Sequence, residues 1–185
     1  MKPAFAAILL ALAAPPAAAQ DLPEGITIHR TQAGELDASG WTAASSTNGS
    51  YSIEVPCNFN DYTFSTREAE GQVRILEIVG CQSGTALRFS ATRVNYPEGP
   101  AKAEEYYRKV DFRSPGTTQE EVPGETQSGL PYRHFRVSNA VQCGQFRVIR
   151  LGEGNIIMGV ETLGGGCFDF ETIANRFFTS LEVTR

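Results

Sequence analysis

The sequence is short of several things that a recognisable activity usually needs. It has no C-x-x-C pair, no G-x-S-x-G turn and only two histidines, His29 and His134. Without C-x-x-C there is neither the local knuckle of a structural zinc site nor the dithiol of a thioredoxin-like centre. Without the G-x-S-x-G elbow, and with no Ser-His-Asp arrangement in view, no hydrolase signature stands out. Positive charge is not in excess either: the formal net charge is −5. That disfavours nucleic acid, which needs a basic field, and attachment to anionic membrane surfaces. No stretch approaches the ~18 apolar residues of a membrane-spanning helix.

The chain opens MKPAFAAILLALAAPPAAAQ, a basic start, a short apolar run over 4–14 and then small residues at Ala17 and Ala19. This is the layout of a signal peptide over residues 1–19, cleaved before Gln20. The apolar run is too short for ~30 Å of hydrocarbon, and Pro15 and Pro16 break it. No cysteine follows the cleavage point, the first being Cys57, which argues against a lipid anchor. The expectation is an exported protein, periplasmic or secreted.

What remains suits one domain with enough volume for a core. Residues 20–40 are polar and Gly-rich, an N-terminal arm with one possible strand over 26–30. A single domain is expected over 41–185. Tyr51, Ile53 and Val55 alternate with Ser52 and Glu54, giving a half-buried strand closed by Pro56. Further strands are predicted over 62–66, 73–79, 85–94, 132–137, 144–151 and 155–162, with turns over 68–71 and 82–84. Gly152-Glu153-Gly154 suits a tight hairpin. Pro100 opens a helix over 100–111, with Ala103, Tyr106, Tyr107 and Val110 on one stripe. A second helix is predicted over 169–180, with Asp169 as N-cap and Ile173, Ala174, Phe177, Phe178 and Leu181 as its apolar face. Residues 113–129 read as an exposed loop. The class is α+β, a largely antiparallel sheet flanked by two helices.

Four cysteines, Cys57, Cys81, Cys143 and Cys167, form an even set in an exported chain and read as disulfides. Three connectivities are open, and hairpin geometry chooses among them. Residues opposite each other in a hairpin share a constant midpoint. Cys57 and Cys81 centre on residue 69, inside the turn expected around 67–71. Cys143 and Cys167 centre on residue 155, within two residues of the Gly152–Gly154 turn, and Gly164, Gly165 and Gly166 can absorb the slip. The predicted pairs are Cys57–Cys81 and Cys143–Cys167. Both span 24 residues, but overlaying the two segments matches little besides the cysteines, so the equal spacing is no internal repeat.

GWTAASSTNGSYSIEVP, GLPYRHFRV and NRFFTSLEV follow one another in an order that resembles small exported bacterial proteins of the PsbP/Mog1-like fold. The resemblance covers roughly residues 41–183 and implies an antiparallel sheet flanked by helices. It further implies a non-enzymatic accessory or protein-binding module. It carries over no set of functional residues, and the cysteines are not part of the shared pattern.

Candidate chemistry is thin. Tyr132, His134 and Arg136 alternate on one face of their strand and form a possible partner-binding strip. The plainer reading, an ordinary solvated sheet face, is preferred. His29, in the arm, reads as solvated. Glu104 and Glu105 diverge by ~100° on a helix and should not share a substrate. Glu120 and Glu121 fall in the loop and read as solvated. The three glycines 164–166 could form an anion nest, but no Walker lysine accompanies them, so hairpin slack is the simpler role. Arg67, Arg74, Arg88, Arg93, Arg147 and Arg150 lie on predicted strands or in the adjoining turn. If they converged, they would favour a carboxylate- or phosphate-bearing partner. Asn48-Gly49-Ser50 matches a glycosylation acceptor and reads more simply as a turn. The leading expectation is a binding module acting through a protein partner, without cofactor or metal. A small-ligand carrier with a pocket between sheet and helix is the alternative, and a hydrolytic enzyme ranks below both.

Overall fold

In the computed structural model, which describes residues 26–30, 36–67, 73–124, 126–164 and 166–184, the alternating stretches become strands. The signal segment over 1–19, its cleavage point and the turn over 68–71 lie outside these residues. The elements are β1 Ile26–Arg30, β2 Thr42–Ser45, β3 Tyr51–Val55, β4 Phe59–Arg67, β5 Val73–Ser83, β6 Leu87–Asn95 and α1 Pro100–Lys109. There follow β7 Thr118–Val122, β8 Thr126–Gln127, β9 Leu130–Ser138, β10 Cys143–Arg150, β11 Gly154–Thr162, α2 Glu171–Thr179 and β12 Glu182–Val183.

One long sheet runs β1-β4-β5-β6-β11-β10-β9-β7, with β8 pairing to β9, and a small sheet runs β12-β3-β2. Every pairing is antiparallel. Two meanders, β4-β5-β6 and β9-β10-β11, meet at the β6–β11 pair, where Val94 faces Asn155 and Phe89 faces Val160. The chain between them supplies α1, β7 and β8.

The sheet is covered on both faces, which is why β10 and β11 are buried almost continuously and lack clean alternation. On one face Phe89, Ile149, Ile156, Met158 and Val160 pack against Tyr51, Ile53 and Val55 of the small sheet and against α2. Phe177 and Phe178 are the predicted anchors of α2; both are fully buried, and Phe177 meets Phe89 edge-on at 5.4 Å. Burying a side chain of that size is worth about 1.5–3 kcal/mol. Ile173, expected on the same face, is exposed instead. On the opposite face α1 seats Ala103 among Tyr62, Leu76, Ile78, Val94 and Tyr96. Beside them Phe135, Phe146 and Val148 close a second cluster with Val110.

Several expectations need correction. The loop expected over 113–129 contains β7 and β8. β7 is an edge strand with exposed residues on both faces, so its TQEEV sequence has no apolar rhythm to betray it. It is held by its ladder to β9 and by Glu121, whose two carboxylate oxygens accept from Arg133 at 2.7 Å each. The possible strand expected over 26–30 of the arm does form, as β1 at the other edge of the sheet. The N-cap of α2 is Phe170. Asp169 lies one residue too early, and its Oδ1 accepts from the Glu171 amide at 3.0 Å.

Both disulfides form as predicted, Cys57–Cys81 with Cα atoms 5.9 Å apart and Cys143–Cys167 with 5.3 Å. The hairpin registers differ slightly from the cysteine midpoints. Phe59, not Cys57, lies opposite Cys81. Gly144 lies opposite Glu161, so Cys167 reaches back from beyond the strand end. The glycines absorb that slip, with Gly164 at φ 105 and Gly166 at φ 90, a region favouring glycine.

Candidate functional site

The strip of Tyr132, His134 and Arg136 does share one face of β9, opposite Ile149, Arg147 and Gln145 of β10. That face is not the solvated one expected, because α2 lies over it. His134 is buried and its ring meets Phe178 edge-on at 5.6 Å. Its Nε2 lies 3.1 Å from Gln145 Oε1, and Gln145 Nε2 donates to Glu171 at 3.2 Å. Arg136, the exposed end of the strip, donates to both oxygens of Glu171 at 3.2 Å. The guanidinium of Arg147 lies 4.8 Å from the Tyr132 ring centre and 4.6 Å from that of Phe178. Burial, and next the charge of Arg147, hold His134 below the ordinary imidazole value. The strip therefore seats α2 on the sheet.

Neither acidic pair brings its two carboxylates together. Glu104 accepts from Arg150 at 2.9 Å and lies 3.3 Å from Arg108, whereas Glu105 turns to Lys102 and Lys109 at 3.0 Å each. The two diverge as a helix requires. Glu120 and Glu121, adjacent on β7, point to opposite faces. The amide of Gly166 donates to the Val141 carbonyl at 3.2 Å and so has its partner within the protein. His29 belongs to β1, and the side chains of His29 and Arg67 lie outside the described residues. Among the described residues no group of three or more His, Cys, Asp or Glu is placed to hold a metal.

The arginines do not converge. By register Arg93 and Arg147 share the α2 face of the sheet, while Arg74, Arg88 and Arg150 share the α1 face. Arg88 pairs with Glu161 at 2.7 Å and Arg74 with Glu98 at 3.1 Å.

The concave surface lies elsewhere, at the sheet end where α1 begins and β10 turns into β11. A depression of about 550 Å³ is lined by Pro100, Ala101 and Glu104 of α1, Leu130 and Pro131 of β9, and Arg150, Leu151 and Gly152. A second, of about 380 Å³, shares Leu130, Leu151 and Gly152 and extends to Arg93, Ser128, Glu153, Val183 and Thr184. They adjoin at these three residues and wrap the end of the sheet, from the α1 side, where Arg150 lies, to the side of the small sheet, where Arg93 lies; this wrapped groove has apolar residues at its centre and charged residues around it. Its central wall, the turn from Ser128 to Leu130, is set from below. Gln127 Nε2 donates to the Phe178 carbonyl, and Gln127 Oε1 accepts from Arg147 at 3.1 Å. Ser128 then takes a positive φ of 53 to turn the chain into β9. Of the groove residues, Arg93, Arg150 and Glu104 stand out in the sequence as candidate chemistry, and Pro100, Gly152 and Glu153 only as helix and turn signals. The rest come from turns and strand ends that lie far apart in the chain.

No protein-family model matches the chain, and no curated protein or solved structure is similar to it at a significant level.

Proposed function

We propose that the protein is an exported, non-enzymatic binding module of PsbP/Mog1-like type, and that a protein partner docks in the groove between α1 and the β10–β11 turn. The observation behind this reading is the groove itself: an open surface with an apolar floor of Leu130, Pro131 and Leu151, rimmed by Glu104, Arg150 and Glu153. An apolar centre inside a polar rim is the anatomy of a protein interface. The carrier alternative needs a cavity between sheet and helix, and Phe89, Phe135, Phe177 and Phe178 occupy that space with no exposure at all. The enzymatic alternative needs titratable groups meeting in an accessible cleft. His134, the only histidine with a described side chain, is covered by α2. The two disulfides accord with a periplasmic or extracellular location.

A photo-crosslinking residue placed at the exposed position Ala101, in cells that export the protein, tests the reading. The same residue at Ile173, exposed on α2, is the control. A discrete crosslinked protein should appear from Ala101 and not from Ile173. It should be lost on Gly152→Trp, which fills the groove from a position whose Cβ meets nothing within 4 Å. No product from Ala101, or equal products from both positions, would sink the proposal.

A further inference from the structure

Resting on the reading of the groove as the docking surface, we propose that Arg93 is the receptor for a carboxylate of the partner, one borne on a side chain next to a short aliphatic residue. Among the described residues, arginine side chains are otherwise neutralised with regularity. Arg74, Arg88, Arg108, Arg113, Arg133, Arg136, Arg150 and Arg176 each have a carboxylate oxygen within 3.3 Å. Only Arg93 and Arg147 do not.

Arg147 is sealed beneath α2, between two rings and Gln127. Arg93 lines the groove, beside Ser128, Leu151 and Glu153. The acid opposite it in the ladder, Glu77, is turned away toward the small sheet. There its carboxylate accepts from Ser50 at 2.5 Å and Asn48 at 3.0 Å. The Nε of Arg93 is buried without an acceptor, while the residue as a whole is only half-buried.

A guanidinium held partly dry has already lost some hydration, so an arriving carboxylate displaces less water than it would at a free arginine. The planar fork suits two carboxylate oxygens. Leu130, Leu151 and Val183 supply an aliphatic wall beside it. Glu153 on the same wall disfavours a second negative charge, which selects a monoanion over phosphate.

The test is titration of the purified protein with two peptides, acetyl-Leu-Asp-Leu-amide and its Asn counterpart, following the Arg93 Nε–H signal by NMR. The Asp peptide should move that signal saturably and bind at least fivefold tighter than the Asn peptide. Arg93→Gln should erase the difference with the rest of the spectrum intact, and Arg93→Lys should restore part of it. Equal binding of the two peptides, or an unmoved Arg93 signal, overturns the proposal. Isovalerate binding as tightly as the Asp peptide would overturn the assignment to a partner side chain, and saturation by inorganic phosphate would overturn the selection of a monoanion. If the peptides fail while the Ala101 crosslink still forms, this role of Arg93 falls and the groove stands. If the crosslink fails, both fall.

Discussion

His134 shows how one buried side chain can make a whole protein sensitive to pH. The groups facing it are Arg147 and Gln145 from β10, Arg136 from its own strand, and Phe178 and Glu171 from α2. Burial first, and the Arg147 charge second, lower its pKa below the ordinary 6.5; the hydrogen bond that Gln145 Oε1 accepts from the imidazole and the charge of Glu171 offset part of this. The unfolded chain therefore takes up a proton on His134 at a higher pH than the folded one. The neutral-imidazole contribution to stability is full above about pH 6.5, is lost as pH falls through the lowered folded value, and levels off below it. Each unit of depression corresponds to about 1.4 kcal/mol. Urea midpoints at about pH 7.5 and about pH 5 should differ less in His134→Gln than in the parent protein. Arg147→Met should raise the His134 pKa followed by NMR, because it removes the second cause of the depression. An unchanged pH dependence in His134→Gln would show that other groups dominate.

At the level of elements, the β10–β11 hairpin separates what two neighbouring glycines do. In sequence, Gly152 and Gly154 look like equal members of a tight turn. In the fold, Leu151 donates to the Gly154 carbonyl at 2.9 Å and Gly154 is already the first residue of β11. A Cβ on Gly154 would collide with the Val94 carbonyl of β6, whereas one on Gly152 meets open space, and neither position needs a positive φ. Gly154→Ala should therefore destabilise by about 1–3 kcal/mol through strain in the β6–β11 pair. Gly152→Ala should be neutral or stabilise by up to about 1 kcal/mol by restricting the unfolded chain. Chemical denaturation of the two variants checks both, and equal losses would contradict the assignment.

The same hairpin marks the limit of what could be read from residues. Strands with an apolar rhythm, such as β3, were legible, as were both helices and the cysteine pairing that follows from hairpin symmetry. Glycine's backbone role was not, because close approach to β6 depends on a strand that pairs from sixty residues away. β7 was missed since an edge strand with no buried face leaves no periodicity. The strip on β9 was legible as one face, yet its cover by α2 depended on where the final helix docks. The groove was illegible for the same reason: its walls come from five separate elements and turns, and no local pattern joins them.

Viewed whole, the molecule keeps its staples and its groove at opposite ends of the long sheet. Cys81 lies in the cross-sheet row that runs through Phe89, Val160 and Gln145, and Cys143 lies two residues further toward the same end. The groove is at the other end, where β6 leads into α1 and β10 into β11. Each disulfide closes a 24-residue span and should contribute about 3–4 kcal/mol by restricting the unfolded chain. For a chain of this size that corresponds to about 6–16 °C in Tm per bridge. Removing Cys143–Cys167 with paired serine substitutions should therefore lower Tm by that amount. It should leave the Ala101 crosslink intact at temperatures where the protein stays folded. Gly152→Trp should do the reverse, keeping Tm within a few degrees while abolishing the crosslink. Thermal melts by circular dichroism alongside the crosslinking assay measure both. If loss of the bridge also abolished docking in the folded protein, the two ends would be mechanically coupled, and the staple would belong to the binding site rather than to the stability of the fold alone.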